Sequence, residues 1–189
     1  MGVVKLANQE KLKIDFGNIE YLKTGNARQR LAYETLTRNQ IMFRLRQFDP
    51  ILVGTIPIRI DIEDSDLDII CYCKDRNDFI KVITDNFKDA EDFEIYDLNE
   101  QEHPAICANF KMDGFPIEVF GQDIPTKKQN AYRHMIIENR LLSEQGETFR
   151  QQIIELKRQG IKTEPAFGLL LGLTGNPYNE LLNFEITTL

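Results

Sequence analysis

The chain has 189 residues, of which 42% are hydrophobic and 28% are charged, so we expect one domain with a buried core. Its 30 Asp and Glu residues outnumber its 23 Lys and Arg residues, and the resulting net charge of −7 disfavours a nucleic-acid partner, which needs clustered basic side chains. No apolar run approaches a membrane span in length, and the N-terminus lacks the basic-then-apolar order of a signal peptide, so a cytoplasmic protein is expected.

The first half of the chain contains predicted helices and short strands. Apolar residues recur at helical spacing over residues 27–48, which predicts one long amphipathic helix closed by Asp49-Pro50. A second helix is predicted over 75–87, with Asp75 or Asn77 as its N-cap. The predicted strands of this half are residues 51–53, 67–73 and 93–96.

A hairpin is predicted in the middle of the chain. Residues 106–112 and 115–120 flank Asp113-Gly114, which is a strong signal for a two-residue hairpin turn. Such a turn fixes the register and places Asn109 opposite Glu118. Glu118 is therefore expected to be an acidic side chain in the middle of an apolar strand, beside an amide.

The remainder of the chain is predicted to be helical. Thr126-x-x-Gln129 has the form of a capping box and predicts a helix over about 126–143. A further helix is predicted over about 147–159, where Gly160 ends it. Thr163-Glu164-Pro165 and Asn176-Pro177 each have the form of a cap followed by proline, which predicts two short helices.

The segment of residues 54–70 carries the most informative pattern. Asp66 and Asp68 lie two residues apart at the start of a predicted strand, so their side chains share one face. Adjacent carboxylates repel each other, and a divalent cation held by oxygen ligands is the usual compensation. Upstream, Gly54 allows close approach of the backbone to a ligand, and Thr55 supplies a hydroxyl that can bond a phosphate. A phosphate site beside a metal site indicates nucleotide chemistry.

Other interpretations of these acidic residues fit less well. An EF-hand loop that began at Asp64 would need glycine at its sixth position and glutamate at its twelfth, where Ile69 and Asp75 stand. Phosphoaspartate phosphatases place the apolar strand before their Asp-x-Asp pair, whereas here the apolar run follows it. A solvated acidic loop is the simplest alternative.

The cysteines and histidines do not indicate a zinc site. The cysteines are Cys71, Cys73 and Cys107, an odd number, and we interpret them as reduced thiols in or near the core. The chain has only two histidines and no Cys-x-x-Cys pair, so zinc is not expected.

A strand, a glycine-hydroxyl turn, a loop, an Asp-x-Asp strand and a later strand with a third acid together resemble the DNA polymerase β-like nucleotidyltransferase superfamily. The matching residues are Gly54-Thr55, Asp66-Leu67-Asp68 and Glu118. Thr55 stands where serine is common, and Pro57 and Arg59 stand where the family has a second glycine. The resemblance covers about residues 30–125, and the chain looks like a small stand-alone member of a bacterial branch.

This resemblance implies an α/β (α+β) nucleotidyltransferase fold, a mixed sheet of about five strands with helices on one face, plus C-terminal helices. It implies a catalytic core of residues 1–125 and a helical portion of residues 126–189, packed on the core as one compact unit. The implied activity transfers a nucleoside monophosphate from an NTP to a hydroxyl of a small molecule or a protein, with Mg²⁺ or Mn²⁺ as cofactor.

The candidate site residues fall into two groups. Those expected to be catalytic and to hold the metal are Asp66, Asp68 and Glu118. Those expected to bind the nucleotide are Gly54, Thr55, Arg59, Tyr132 and Arg133. The last two lie on the helix after the third acid, where they would form a pocket wall or, alternatively, part of the exposed face of an amphipathic helix.

A second function class stays open from the sequence. A protein that kept this fold but lost turnover would bind a nucleotide, or would bind a partner protein in the manner of an antitoxin. Nucleotide binding without a product would distinguish it from the transferase.

Overall fold

The computed structural model describes residues 14–99 and 103–184, with a five-stranded mixed sheet at the centre. The strands are β1 (Ile51–Val53), β2 (Leu67–Tyr72), β3 (Glu91–Leu98), β4 (Ala105–Met112) and β5 (Phe115–Gln122). They lie in the order β1-β2-β5-β4-β3, with β2 and β5 parallel and the other neighbours antiparallel. The hairpin of β4 and β5 therefore lies directly beside the Asp-x-Asp strand.

Helices flank this sheet on both faces. They are α1 (Ala27–Arg38), α2 (Ile41–Arg44), α3 (Thr55–Ile58), α4 (Arg76–Phe87), α5 (Asn130–Arg158), α6 (Thr163–Leu171) and α7 (Pro177–Asn183). Within α5, Gly146 has non-helical backbone angles (φ 83°, ψ −170°) and divides the helix into two parts, close to the boundary that the sequence predicts. None of the described helices is both long and apolar enough to cross a membrane.

Two apolar clusters lie on opposite faces of the sheet. Ile69 of β2 belongs to the cluster that α1 and α4 cover, where Phe79 is fully buried. Ile70 belongs to the cluster that α5, α6 and α7 cover, together with Met135. Since side chains alternate along a strand, Asp68 shares the face of Ile70. The Asp-x-Asp pair therefore lies between the sheet and the C-terminal helices.

Two buried cations attach the second part of α5 to the turn after β1. Arg150 donates hydrogen bonds to the backbone carbonyls of Ile58 and Arg59, the latter at 3.2 Å. Lys157 donates to the carbonyl of Ile60 at 2.7 Å. Because a buried charge without partners is costly, these bonds are the reason that α5 tolerates both side chains on its apolar face.

Several predicted elements are confirmed. The first strand spans residues 51–53, and the hairpin register pairs Asn109 with Glu118. The side chain of Asp75 accepts hydrogen bonds from the first backbone amides of α4, and the side chain of Asn176 does the same at α7. The cysteines are buried free thiols.

The prediction of one helix over residues 27–48 is wrong. Helix α1 ends at Arg38, and Gln40 has a left-handed backbone with φ 55°. The break depends on Asn39, whose Nδ2 donates to the carbonyl of Thr35 and to Oδ2 of Asp113, both at 2.9 Å. The contact with Asp113 joins this point to the hairpin turn, and no local pattern could reveal it.

The capping box predicted at Thr126 is also wrong. Its Oγ1 donates to Oδ2 of Asp49 at 2.7 Å, and Gln129 donates to the carbonyls of Cys71 and Ile124 at 2.9 and 2.8 Å. Tertiary contacts thus occupy both side chains, and α5 begins only at Asn130. The segment after β1 is predicted to be a loop, and in the structure it contains the single turn α3.

Candidate functional site

Three carboxylates converge at the junction of β2 and β5. Asp68 of β2 pairs with Glu118 of β5 in the parallel register, so the two residues are direct neighbours on adjacent strands. Asp66 lies immediately before β2 and is close enough to raise the pKa of both other carboxyls. The structure therefore brings together the three acids that the sequence selects.

Burial and mutual repulsion make this cluster electrostatically unfavourable. Burial, followed by the charges of Asp66 and Glu118, raises the pKa of Asp68 to about 8. Burial also raises the pKa of Glu118, and Asp66 adds to the shift. A divalent cation would offset the negative charge of such a cluster.

Gly54 makes room for Asp68. Its backbone has φ 80°, and an added Cβ atom would overlap Oδ2 of Asp68. Gly54, which the sequence assigns to phosphate binding, lines the Glu138 cavity and also leaves space for this carboxylate.

Substitution of Gly54 tests this packing directly. We expect Gly54→Ala to displace Asp68 and to destabilise the protein by about 2–3 kcal/mol, because strain at positive φ and a steric clash combine. Gly114→Ala is the matched control, since Gly114 has φ 81° but nothing within 4 Å of an added Cβ. Urea unfolding of both variants measures the difference. Equal destabilisation would show that the contact with Asp68 has no role.

Two cavities meet at the carboxylates. The Glu138 cavity has a volume of about 790 Å³, and the Lys157 cavity has a volume of about 690 Å³. Each takes one wall from the sheet and another from the C-terminal helices. Both are lined by Thr55, Asp68, Glu118, Thr163 and Glu164. Two molecules bound in the two cavities could therefore meet beside Asp68 and Glu118.

Lys157 gives the second cavity a buried positive charge. Only 8% of the residue is exposed, and burial lowers its pKa, although Asp61, Glu138 and the Asp-x-Asp pair act in the opposite direction. Lys162 lies on the rim of the same cavity. Sequence reasoning missed Lys157, although its position four residues after Ile153, on the apolar face of α5, was a usable signal.

A buried group of ionisable side chains forms part of the wall of the Glu138 cavity. His134 lies 3.4 Å from Glu164 through Nδ1, and its Nε2 lies 2.9 Å from the carbonyl of Tyr178. Burial disfavours the charged imidazole, but these hydrogen bonds outweigh it and raise the pKa of His134. Burial raises the pKa of Glu138 to about 8. Glu138 and His134 lie on the helix that the sequence analysis considers as a pocket wall, whereas Glu164 has no such signal in the sequence.

The predicted nucleotide-binding residues are only partly gathered at the cavities. Thr55 lines both cavities, and its Oγ1 donates to Oγ of Ser65 at 3.3 Å. Three others are described but lie outside both cavities. Arg59 is exposed at the end of α3, Tyr132 packs against the apolar cluster beneath α5, and Arg133 contacts Oδ1 of Asn130 at 3.2 Å.

The carboxylates suit magnesium in their chemistry. Carboxylate oxygens are hard ligands, and Mg²⁺ takes one or two of them together with water and phosphate oxygens. Within residues 14–99 and 103–184, no group of three or more His, Cys, Asp or Glu side chains is close enough together to hold a metal ion. The type of donor atom therefore fits the cation, but the described side chains do not by themselves form a complete metal site.

Solved structures share this fold at low sequence identity. The Cid1 poly(U) polymerase bound to MgATP is 11% identical, with a TM-score of 0.55 over 81% of this chain and 53% of that chain. A cytoplasmic RNA terminal U-transferase is 13% identical, with a TM-score of 0.51 over 76% of this chain and 46% of that one. The present chain thus spans about half the length of these proteins. The similarity shows that the chain has the nucleotidyltransferase fold.

No curated protein matches the sequence. Residues 34–184 match the family described as domain of unknown function (DUF4269). The match includes all five strands and every candidate site residue. Because it covers most of the chain, the protein belongs to the DUF4269 family.

Proposed function

We propose that this protein is a nucleotidyltransferase that moves a nucleoside monophosphate from an NTP to a hydroxyl group of a small molecule or a protein. The observation that carries the proposal is the position of the carboxylates. Asp68 and Glu118 lie side by side, with Asp66 nearby, where two cavities meet. An NTP in one cavity would present its α-phosphate to an acceptor in the other.

The Lys157 cavity suits the triphosphate. It has Lys157 on its wall and Lys162 on its rim, and both would face the phosphate charges. The hydroxyl of Thr55 lines the same cavity and could donate a hydrogen bond to a phosphate oxygen. In this arrangement Thr55 keeps the phosphate role that the sequence indicates, and Lys157 takes the role expected of Arg59 and Arg133.

Asp66, Asp68 and Glu118 would hold Mg²⁺ or Mn²⁺. The bound cations would polarise the α-phosphate and stabilise the leaving pyrophosphate. The related Cid1 structure was obtained with MgATP, which supports this choice of cation and substrate class. The raised pKa of Asp68 is the electrostatic feature that such a cation would reverse.

The side chains then have separate tasks in the transfer. The acceptor hydroxyl attacks the α-phosphorus, a new P–O bond forms, and the bond to the β-phosphate oxygen breaks to release pyrophosphate. Glu118 accepts the hydroxyl proton as general base, a role that its raised pKa favours. Lys157 and Thr55 hold the β- and γ-phosphates in line with the attacking oxygen.

A labelling experiment tests this function. Wild-type protein is incubated with each NTP labelled at the α-phosphate, Mg²⁺ or Mn²⁺, and cell extract or RNA. We expect label on a small molecule or a protein, and a loss of at least about 10²-fold in Glu118→Gln. Glu155→Gln is the control, since this substitution makes the same chemical change on the exposed face of α5. Equal labelling by Glu118→Gln would contradict the assignment.

A second function class is supported by one observation. The three carboxylates are not close enough together to enclose a metal ion among the described residues, which is compatible with a nucleotide-binding or partner-binding protein without turnover. Equilibrium binding of labelled NTP with no labelled product would support that class. Labelled RNA would instead show that the acceptor is RNA, as the name of the RNA terminal U-transferase indicates for that protein. The net charge of −7 disfavours this outcome.

A further inference from the structure

Glu138 is a buried carboxylate that the proposed transfer chemistry does not use. It lies in the first part of α5, is only 4% exposed, and lines the Glu138 cavity. Among the described residues, its Oε1 has no hydrogen-bond partner. A buried carboxylate oxygen without a partner is costly, so its position on the wall of a cavity indicates a ligand that donates a hydrogen bond to it.

The cationic groups that act on Glu138 have other hydrogen-bond partners. His134 and Lys157 favour the ionised form of Glu138 through their charge. However, the ring nitrogens of His134 contact Glu164 and the carbonyl of Tyr178, and Nζ of Lys157 donates to the backbone at residue 60. Among the described residues that line the Glu138 cavity, Lys128 is the only lysine or arginine, and it is exposed. A hydrogen-bond donor for Oε1 of Glu138 must therefore come from a bound molecule.

The rest of the cavity indicates the size and character of that molecule. A volume of about 790 Å³ is within the range of small-molecule sites. Ile70, Phe120 and Met135 provide apolar surface, and Asp68 and Glu118 line the same cavity. A ligand that fits these walls has a hydrocarbon part, a cationic group for Glu138 and a hydroxyl group for the side of Asp68 and Glu118.

We propose that the Glu138 cavity is the acceptor site and that the acceptor is a small molecule with a protonated primary amine, which donates a hydrogen bond to Oε1 of Glu138. This inference rests on the proposed function, because the acceptor hydroxyl must reach the α-phosphate beside Asp68 and Glu118. The amine takes no part in the transfer, in which an oxygen–phosphorus bond forms and pyrophosphate leaves. Its ammonium group also favours the ionised form of Glu138, which burial alone disfavours.

The first test compares amines with amides. The dialysable small-molecule fraction of a cell extract is divided, and one half is treated with an amine-selective acetylating reagent, which removes the positive charge but keeps the hydroxyl groups. Both halves are incubated with Mg²⁺ and NTP labelled at the α-phosphate. We expect labelling to fall about tenfold or more after acetylation, the loss that corresponds to one charge-assisted hydrogen bond. Equal labelling of both halves would overturn the inference and leave the transferase standing.

The variant Glu138→Gln assigns this preference to one side chain. Glutamine keeps the shape of the side chain but removes the negative charge. We expect the KM for the amine acceptor to rise about tenfold, with the KM for NTP unchanged. A merely structural role would not alter the ratio between amine and acetylated acceptors. Glu155→Gln, on the exposed face of the same helix, is the matched control. A changed KM for NTP in Glu138→Gln would place the nucleotide in this cavity and overturn the inference.

A binding measurement separates the inference from the proposed function. The side-chain carboxyl carbon of Glu138 is followed by NMR in protein labelled with ¹³C-glutamate, with Glu138→Gln used to assign its signal. We expect ethanolamine to shift this signal and N-acetylethanolamine to leave it unchanged, whether or not transfer occurs. No shift with ethanolamine would overturn the amine site. Absence of metal-dependent NTP binding and of any labelled product would overturn the transferase, and the acceptor assignment with it.

Discussion

Asp68→Asn is expected to lower nucleotide transfer by at least about 10³-fold, which corresponds to roughly 4 kcal/mol in the activation barrier. Asparagine keeps the shape of the side chain but removes a negative charge from the point where β2 and β5 meet. With one ligand charge missing, the carboxylates would hold a cation more weakly and orient the α-phosphate less well. The measurement is single-turnover transfer from NTP labelled at the α-phosphate.

The same substitution is expected to stabilise the metal-free protein. Burial and the neighbouring carboxylates raise the pKa of Asp68 to about 8, so the ionised side chain disfavours the folded state. We expect the melting temperature of Asp68→Asn, in the presence of a chelator, to exceed that of the wild type. The control is Asp85→Asn, an exposed residue of α4 that pairs with Lys81 at 2.6 Å. Wild-type transfer rates in Asp68→Asn would exclude this residue from the chemistry.

Glu138→Gln is expected to remove a large part of the pH dependence of stability. The pKa of Glu138 is raised from 4.5 to about 8 in the folded state. The folded state therefore binds more protons than the unfolded state in this window, and the free energy of unfolding falls as the pH rises from 4.5 to about 8. Glutamine has no proton to lose, so the variant should be more stable than the wild type above this window, by up to about 5 kcal/mol for the full shift.

Urea unfolding below, within and above that window measures the effect. Asp68, whose pKa is also raised to about 8, titrates in this range as well, so the informative quantity is the difference in the free energy of unfolding between wild type and Glu138→Gln at each pH. We expect the two proteins to be similarly stable at acidic pH and to diverge as the pH rises. If the free energies of unfolding of the two proteins changed in parallel with pH, the negative charge of Glu138 would already be balanced in the folded state.

Local signals in the sequence determined much of the sheet. Asp113-Gly114 admits one hairpin register, and this alone placed Glu118 opposite Asn109. This result depends on local turn chemistry and strand periodicity, which neighbouring residues largely decide. The parallel contact between β2 and β5, which puts Asp68 beside Glu118, joins distant segments and was not predicted.

The wrong predictions share a physical cause. Thr126 and Gln129 satisfy the local pattern of a capping box, but their side chains bond to Asp49 and to the carbonyl of Cys71, far away in the chain. Asn39 interrupts a helical pattern for the same reason, because it bonds to the hairpin turn. Where a polar side chain has both a local and a distant hydrogen-bond partner available, the sequence alone does not show which of the two it binds.

The burial of Lys157 and Glu138 was not predicted, for a related reason. On an amphipathic helix, a lysine or glutamate is usually assigned to the exposed face. Lys157 is buried because it has a carbonyl partner 97 residues earlier in the chain. Glu138 is buried beside a cavity, and only the assembled structure shows that its Oε1 has no partner among the described residues.

The divided origin of the cavity walls has an evolutionary consequence. The carboxylates come from the sheet, whereas Glu138, Lys157 and Glu164 come from α5 and α6. Mutations in these helices can therefore change what is recognised without altering the residues that carry out the transfer. Relatives that keep Asp66, Asp68 and Glu118 but differ at Glu138 would accordingly form subgroups with different acceptors, and selection could act on each segment separately.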